Sequence, residues 1–321
     1  MIHTEAIRRE FPRYLDRGLL FLLTTVALGL RLYKLEQDSF WFDEILQVLA
    51  AQNSLWQTIL AAMRHTGATP LDFLVTHFTL YIGRSEGILR LPAAIWGVCS
   101  IVVLYRLGRE MFDKLTGYLA AFLLTVLPIH IYYSQEVRFY SLATLLTLLS
   151  LYSFNRAVNK DDRLSWAAYV IAHLLALYTL YYALVIPFIQ TVWLLWAVRT
   201  KHYSRSTLVH LLLAAGAAVL LFLPWLLYDI YYTQTYQRGF FESGFVFELP
   251  PIASLLGYFF FVQQNLAFSL SSPHTWWVVF AWGMALSGGV ALLRRHPGSP
   301  PIMVLLLLLT LGGLVSVSLI N

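Results

Sequence analysis

Nine long apolar segments run through this 321-residue chain, and most approach the roughly 20 residues of helix that cross a bilayer's hydrocarbon core. Hydrophobic residues make up 59% of the chain and charged residues 12%, against about 45–50% and about 25% in soluble domains. A water-soluble enzyme is thereby excluded, and we predict an all-α, polytopic membrane protein of about nine transmembrane helices. The predicted spans are Leu19 to Leu35, Leu91 to Tyr105, Leu115 to Tyr132, Tyr140 to Phe154, Trp166 to Leu180, Ala183 to Val198, Leu208 to Leu227, Trp276 to Leu293 and Ile302 to Ile320.

Two further apolar stretches, Pro70 to Ile82 and Ile252 to Phe268, contain polar or charged side chains. If both lie on the membrane surface, 15 of the 22 Lys and Arg residues face the cytoplasm, as the positive-inside rule expects. Making either stretch a span would move a cluster of cations to the outer side, so we interpret both as surface segments. The N-terminus is then cytoplasmic, the first span is an uncleaved anchor, and the active site of this plasma-membrane protein faces outside.

The pattern predicts three parts: a cytoplasmic segment at residues 1–18, a transmembrane module at 19–230 with an outer loop at 36–90, and residues 231–321. The last part is expected to hold an outer loop with a surface helix and two further spans. In the first outer loop we expect an amphipathic surface helix from Ile45 to Met63, followed by the Pro70 to Ile82 stretch. The basic residues are scattered between apolar segments, so nucleic acid is not an expected partner, whereas the lipid bilayer is.

The densest group of acidic residues follows the first span, where Asp43 and Glu44 come directly after three aromatic residues. An apolar wall strengthens a carboxylate as a general base, provided that a partner keeps it ionised. The same pair also suits the N-terminus of the helix expected near Ile45, because acidic side chains stabilise that end. The sequence leaves both alternatives open.

A second polar group lies between two outward-facing span ends and contains Tyr133, Gln135, Glu136 and Arg138. Ionisable groups at membrane depth are costly and commonly mark a functional site. The guanidinium fork of Arg138 suits a phosphate. The alternative is an internal ion pair between Glu136 and Arg138, or hydrogen bonds to neighbouring helix ends.

Other outer-side cations, Arg64 and Arg90 among them, are candidate contacts for a lipid-linked phosphate. Each also fits a boundary residue whose charged end extends to the membrane surface. His65, His77 and His274 lie on the same side as the acids, but their spacing is not that of a metal site. We therefore assign no cofactor and no metal ligands, and participation of a divalent cation is left open.

The order of these motifs resembles the GT-C glycosyltransferases, in the branch of the protein O-mannosyltransferases and aminoarabinose transferases (family 39-like). The matching pieces are Trp41-Phe42-Asp43-Glu44 and residues 30–32, 69–71, 83–86, 90–97, 105–109, 127–141 and 223–225. The resemblance covers roughly residues 19 to 230. It implies a GT-C fold with a seven-span module, a sugar donor carried on a polyprenyl phosphate, and inversion at the anomeric carbon.

Carried over to this chain, the resemblance implies that Asp43 is the general base, with Glu44 as its catalytic neighbour. Glu136 would be the second-loop acid that assists placement of acceptor or donor. The candidate substrate-binding residues are Arg138, Tyr133, Gln135, Arg64 and Arg90.

Two departures accompany the resemblance: Leu180 stands where many relatives have a histidine, and relatives usually continue through several more spans. A fragment, a shortened member and a scaffold without activity are the alternatives. The expected function is sugar transfer from a polyprenyl-phosphate donor to a glycan, lipid or protein acceptor. A transporter or carrier of lipid-linked substrates and an inactive assembly subunit are the competing functions.

Overall fold

The structure is a computed structural model that describes residues 13–62 and 69–236, and all regular elements in these ranges are helices. The predicted all-α class is therefore confirmed for this part of the chain. Seven of the nine predicted spans overlap helices, and the last two, the Ile252 to Phe268 stretch and Arg64 lie outside the described residues. The helices are α1 (Arg13–Leu32), α2 (Phe42–Ala51), α3 (Leu55–Ala62), α4 (Pro70–Thr79), α5 (Glu86–Met111), α6 (Lys114–Val126), α7 (Pro128–Tyr133), α8 (Tyr140–Lys160), α9 (Arg163–Leu177), a short 3-10 helix (Tyr181–Leu184), α10 (Val185–Arg199) and α11 (Arg205–Tyr236).

Three helical stretches in the described ranges are long and apolar enough to cross a bilayer: Glu86–Met111, Tyr181–Arg199 and Arg205–Tyr232. Helices α6 and α9 are apolar but shorter. The described part of the chain thus has helices as its only regular elements and is membrane-embedded, and the count of nine spans stays a prediction.

The stretch from Leu115 to Tyr132, predicted as one span, is two helices, α6 and α7. The break falls at Pro128, because proline has no backbone N–H and restricts the residue before it. The buried guanidinium of Arg31, at the end of α1, donates hydrogen bonds to the Leu124 carbonyl (3.2 Å) and the Thr125 carbonyl (3.4 Å). Arg31 thus supplies donors to the last turn of α6.

The single surface helix predicted from Ile45 to Met63 is also wrong, because α2 ends at Ala51 and α3 begins at Leu55. The side chain of Asn53 donates to the carbonyls of Leu49 (3.1 Å) and Ala50 (3.0 Å). The hydroxyl of Thr58 donates to the Ala50 carbonyl as well (3.2 Å). Side chains therefore satisfy the last carbonyls of α2, and the chain turns instead of continuing as a helix.

The prediction that Pro70 to Ile82 does not span is supported, because α4 has ten residues and a helix of that length is only about 15 Å long. Proline at the first helical position favours a helix start. The helix packs against α2, α3 and α5, and the Leu71 N–H donates to the Tyr178 carbonyl at the end of α9 (3.0 Å). Helix α4, which is part of the predicted first outer loop, is thereby fixed against α2, α3 and the end of α9.

The largest apolar cluster joins α4 to the bundle formed by α8, α9 and α11. Phe73 of α4, Leu146 of α8, Leu177 of α9 and Phe222 of α11 are buried in it. Van der Waals contacts among these side chains hold α4, and with it the first outer loop, against one end of the bundle.

Candidate active site

The two acids of the first outer loop have different environments. Helix α2 begins just after Trp41, and the Glu44 carboxylate accepts a hydrogen bond from the Trp41 N–H (3.2 Å), as a capping residue does. The Glu44 side chain is fully buried, whereas the Asp43 side chain is 35% exposed. Successive residues of a helix point in different directions, so the fold separates Glu44 from solvent and leaves Asp43 at the surface.

Glu44 forms a two-pronged ion pair with Arg90 of α5. The Arg90 Nη2 lies 2.7 Å from Oε2 of Glu44, and Nε lies 2.9 Å from Oε1. The remaining Arg90 donors bond to the carbonyls of Leu35 (3.1 Å), Asp38 (2.7 Å) and Ser39 (3.3 Å). Five hydrogen bonds match the five donors of a guanidinium, so Arg90 has no donor left for a ligand in this conformation.

Glu44, in the first turn of α2, also joins the loop that precedes this helix to the loop that carries Glu136. Its Oε1 accepts a hydrogen bond from the Val137 N–H of the loop between α7 and α8 (2.8 Å). Val137 packs against Val48 and Leu89, which belong to α2 and α5. The loops at residues 33–41 and 134–139 therefore meet at one end of the helical bundle.

Arg138 lies at this junction and faces Asp43. The Arg138 Nη2 is 3.7 Å from Oδ2 of Asp43, and its Nη1 is 3.5 Å from Oε1 of Gln47. Its Nε is buried and has no hydrogen-bond partner. Arg138 thus differs from Arg90, because it is held in place and still has donor capacity.

Glu136 is 4% exposed, and neither of its carboxylate oxygens has a hydrogen-bond partner. Burial raises the pKa of Glu136 to about 7; the nearby Tyr132 hydroxyl and Arg138 oppose this rise, and the Glu44 charge adds to it. Unpaired buried oxygens are uncommon, because each lost hydrogen bond is costly. Near neutral pH this carboxyl is therefore present in both protonation states and has two acceptor atoms unused.

The other candidates of the second loop hold its shape. The Gln135 Nε2 lies 3.1 Å from the Arg31 carbonyl and 2.8 Å from the Tyr33 carbonyl, at the C-terminal end of α1. The Tyr133 ring packs on the Tyr140 ring with 4.2 Å between centroids. Substrate binding by Tyr133 and Gln135 stays a prediction.

Sequence reasoning did not place Gln47 and Asp72 in this site. Gln47 is 1% exposed and lies between Arg138 and Asp72, whose Oδ2 accepts from Gln47 Nε2 (2.5 Å). The available signal was the presence of a carboxylate and an amide within the largely apolar stretches that form α4 and α2. That signal does not say which polar groups meet.

Within residues 13–62 and 69–236, no three His, Cys, Asp or Glu side chains gather closely enough to hold a metal ion. His77 lies beside the site on α4, and its Nδ1 is 2.8 Å from the Ala51 carbonyl. His65 and His274 lie outside the described ranges. Participation of a divalent cation is not tested by this geometry.

A family model described as dolichyl-phosphate-mannose-protein mannosyltransferase matches residues 67–228, which is half of the chain. The chain belongs to this family. The family segment contains Arg90, Glu136 and Arg138, and it begins after Asp43 and Glu44. The resemblance to the GT-C glycosyltransferases is therefore confirmed at the level of the family.

A solved structure of the archaeal oligosaccharyltransferase AglB from Archaeoglobus fulgidus, in complex with an inhibitory peptide and a dolichol-phosphate, is similar in fold. The TM-score is 0.54 at 14% identity, and the alignment covers 95% of this chain and 37% of that one. The chain therefore spans little more than a third of that enzyme's length. No curated protein sequence matches the chain. At this identity the likeness shows the GT-C fold alone.

Proposed function

We propose that the protein is a glycosyltransferase that moves a sugar from a polyprenyl-phosphate donor of the dolichol type to an acceptor at the outer face of the plasma membrane. The family description names a dolichyl-phosphate-linked sugar, and the similar structure contains a dolichol-phosphate. The observation that carries the proposal is the partly exposed Asp43 carboxylate facing the Arg138 guanidinium at the junction of the two loops.

Asp43 is the general base in this proposal. Its carboxylate removes the proton of the acceptor group, and the acceptor atom forms a bond with the anomeric carbon of the sugar. The bond between that carbon and the phosphate oxygen breaks, and the lipid phosphate leaves with the electron pair. Attack opposite the leaving group inverts the anomeric configuration. A positioned base contributes about 10²–10⁴-fold to the rate of such a step.

Arg138 is the proposed contact for the leaving phosphate. Negative charge grows on the phosphate oxygen as the bond breaks, and a fixed cation stabilises that charge. Arg138 keeps donor capacity, whereas all five donors of Arg90 bond to protein groups. This contrast favours Arg138 over Arg90, which we assign a positioning role.

Glu136 is proposed to bind a hydroxyl group of the sugar or the acceptor. Within the described part of the chain no donor meets hydrogen-bond geometry at its two buried oxygens, although the Tyr132 hydroxyl lies nearby, and a substrate hydroxyl would supply such a bond. Glu44 bonds to Trp41, Arg90 and Val137, so we propose that it positions the two loops and takes no direct part in the chemistry.

The test uses the full chain in proteoliposomes, with polyprenyl-phosphate sugars as donors and extracted cell-envelope glycans, lipids and peptides as acceptors. The expected result is a covalent product of inverted anomeric configuration, formed together with one equivalent of free polyprenyl phosphate. Gradient-dependent uptake of a lipid-linked substrate, with no covalent product, would contradict the proposal and support a transporter.

A further inference from the structure

A carboxylate outside the predicted acid pairs lies behind Arg138. Asp72, in the first turn of α4, is 6% exposed, and no Lys, Arg or His side chain of the described ranges forms an ion pair with it. Its Oδ2 accepts a hydrogen bond from Gln47 Nε2 (2.5 Å). Burial raises the pKa of Asp72 to about 6, which leaves it ionised at neutral pH; the Gln47 bond and the Arg138 charge oppose the rise.

Gln47 can be oriented in only one way between these charges. Arg138 has only donors, so the amide oxygen of Gln47 must face it, at 3.5 Å from Nη1. The amide nitrogen then faces two acceptors, the Asp72 carboxylate and the Thr76 hydroxyl (2.9 Å). The Thr76 hydroxyl donates to the Asp72 carbonyl (3.1 Å), which leaves its oxygen free to accept from Gln47. The reversed amide would place like partial charges together at both ends.

The result is a directed chain of donors from Arg138 to Gln47 to Asp72. The other terminal nitrogen of the same guanidinium, Nη2, lies 3.7 Å from Oδ2 of Asp43, so one terminal nitrogen of Arg138 faces Asp43 and the other is linked through Gln47 to Asp72. Three of the four side chains are less than 16% exposed, and water therefore competes little for these contacts.

We propose that Asp72 is a positioning residue that holds Gln47, and through it the Arg138 side chain, in the orientation that faces Asp43. This inference rests on the proposed function, because Arg138 acts on the reacting groups and Asp72 does not touch them. The competing role is purely structural: Asp72 would tie α4 to α2 with no influence on Arg138.

Four variants separate the two roles in the proteoliposome transfer assay. Asp72→Leu removes the acceptor and the charge, Asp72→Asn keeps an acceptor for Gln47, and Gln47→Leu interrupts the chain at its middle. Thr79→Val is the matched control, since Thr79 is an equally buried residue of α4 that donates only to the Val75 carbonyl of its own helix. We expect kcat to fall at least tenfold in Asp72→Leu and Gln47→Leu, and to stay within threefold of the unaltered protein in Asp72→Asn and Thr79→Val.

The decisive comparison repeats Asp72→Leu in an Arg138→Lys background. If Asp72 acts through Arg138, the second change lowers kcat by less than twofold there, because the oriented guanidinium is already gone. A further tenfold loss in that background, or an unchanged kcat in Asp72→Leu, would overturn the inference. If Asp72→Leu does not fold, Gln47→Leu replaces it in the same background.

The proposed function and this inference fail in different ways. Absence of transfer by the unaltered protein would contradict the proposed function. The positioning role of Asp72 can then still be tested by a second measurement, which does not depend on activity. In that measurement, thermal unfolding is compared for Asp72→Leu, Arg138→Leu and the double variant. Coupled residues predict a double-variant shift in Tm smaller than the sum of the two single shifts. Strictly additive shifts would overturn the inference without any reference to activity.

Discussion

Replacing Glu44 by Gln should destabilise the protein far more than the loss of one surface charge. The Glu44 side chain is fully buried and its partner Arg90 is only 6% exposed. The neutral amide cannot return the two-pronged ion pair, and in either orientation its NH₂ group faces two N–H donors, one from Arg90 and one from Val137 or Trp41. Breaking one side of a buried ion pair costs about 3–5 kcal/mol, a large share of the roughly 5–15 kcal/mol that folded domains have.

The assay is SDS titration of the protein in mixed micelles, with the apparent free energy of unfolding followed by tryptophan fluorescence. Glu36→Gln is the matched control, because Glu36 is an exposed glutamate of the same loop, and we expect it to change stability by less than about 0.5 kcal/mol. The double variant Glu44→Gln with Arg90→Gln should recover part of the loss, with an interaction energy of about 0.5–3 kcal/mol. A loss below about 1 kcal/mol in Glu44→Gln, or strict additivity in the double variant, would refute the reasoning.

Three further variants test the environments of Glu136, Gly97 and Arg31. Burial raises the pKa of Glu136 to about 7 in the folded chain, so ionisation of this carboxyl lowers the free energy of unfolding as pH rises from about 4.5 to 7. Glu136→Gln should therefore stabilise the protein at pH 8 and change its stability little at pH 5. SDS titration at both pH values measures this difference. Gly97→Ala should cost about 1–3 kcal/mol in the same titration, because a Cβ there would collide with Ser134 and Arg31, whereas Gly29→Ala, with open space around it, should not destabilise. Arg31→Lys should lower Tm, because an ammonium group cannot reproduce the guanidinium bonds to carbonyls of α1 and α6; an unchanged Tm would contradict this.

Apolar periodicity and charge bias were sufficient to predict the all-α class of the described part and that the Pro70 to Ile82 stretch does not span, because burial in lipid or in a core dictates those patterns. They missed the break at Pro128, although a proline inside an apolar run is a local signal for one. They also missed the turn after Ala51, where the side chains of Asn53 and Thr58 compete for carbonyls that a continued helix would use.

The sequence indicated some members of the candidate site but not the partners that each of them has. Asp43 and Arg138 were singled out by type and position, and the structure brings them together. Arg90 was expected to contact substrate, yet it is occupied by Glu44 and by loop carbonyls. Backbone carbonyls carry no sequence signature, so partners of this kind emerge only in three dimensions. Asp72 was hidden for a different reason: its partner is a side chain, that of Gln47, which lies 25 residues away along the chain.

In the proposed mechanism Asp43 removes the acceptor proton while Arg138 faces it across the loop junction. This role is measured by kcat for sugar transfer from a polyprenyl-phosphate donor by Asp43→Asn, compared with Asp38→Asn, an exposed aspartate of the same loop. We expect a loss of about 10²–10⁴-fold in Asp43→Asn, with unchanged thermal unfolding, and less than a twofold change in the control. Undiminished turnover by a correctly folded Asp43→Asn variant would contradict it.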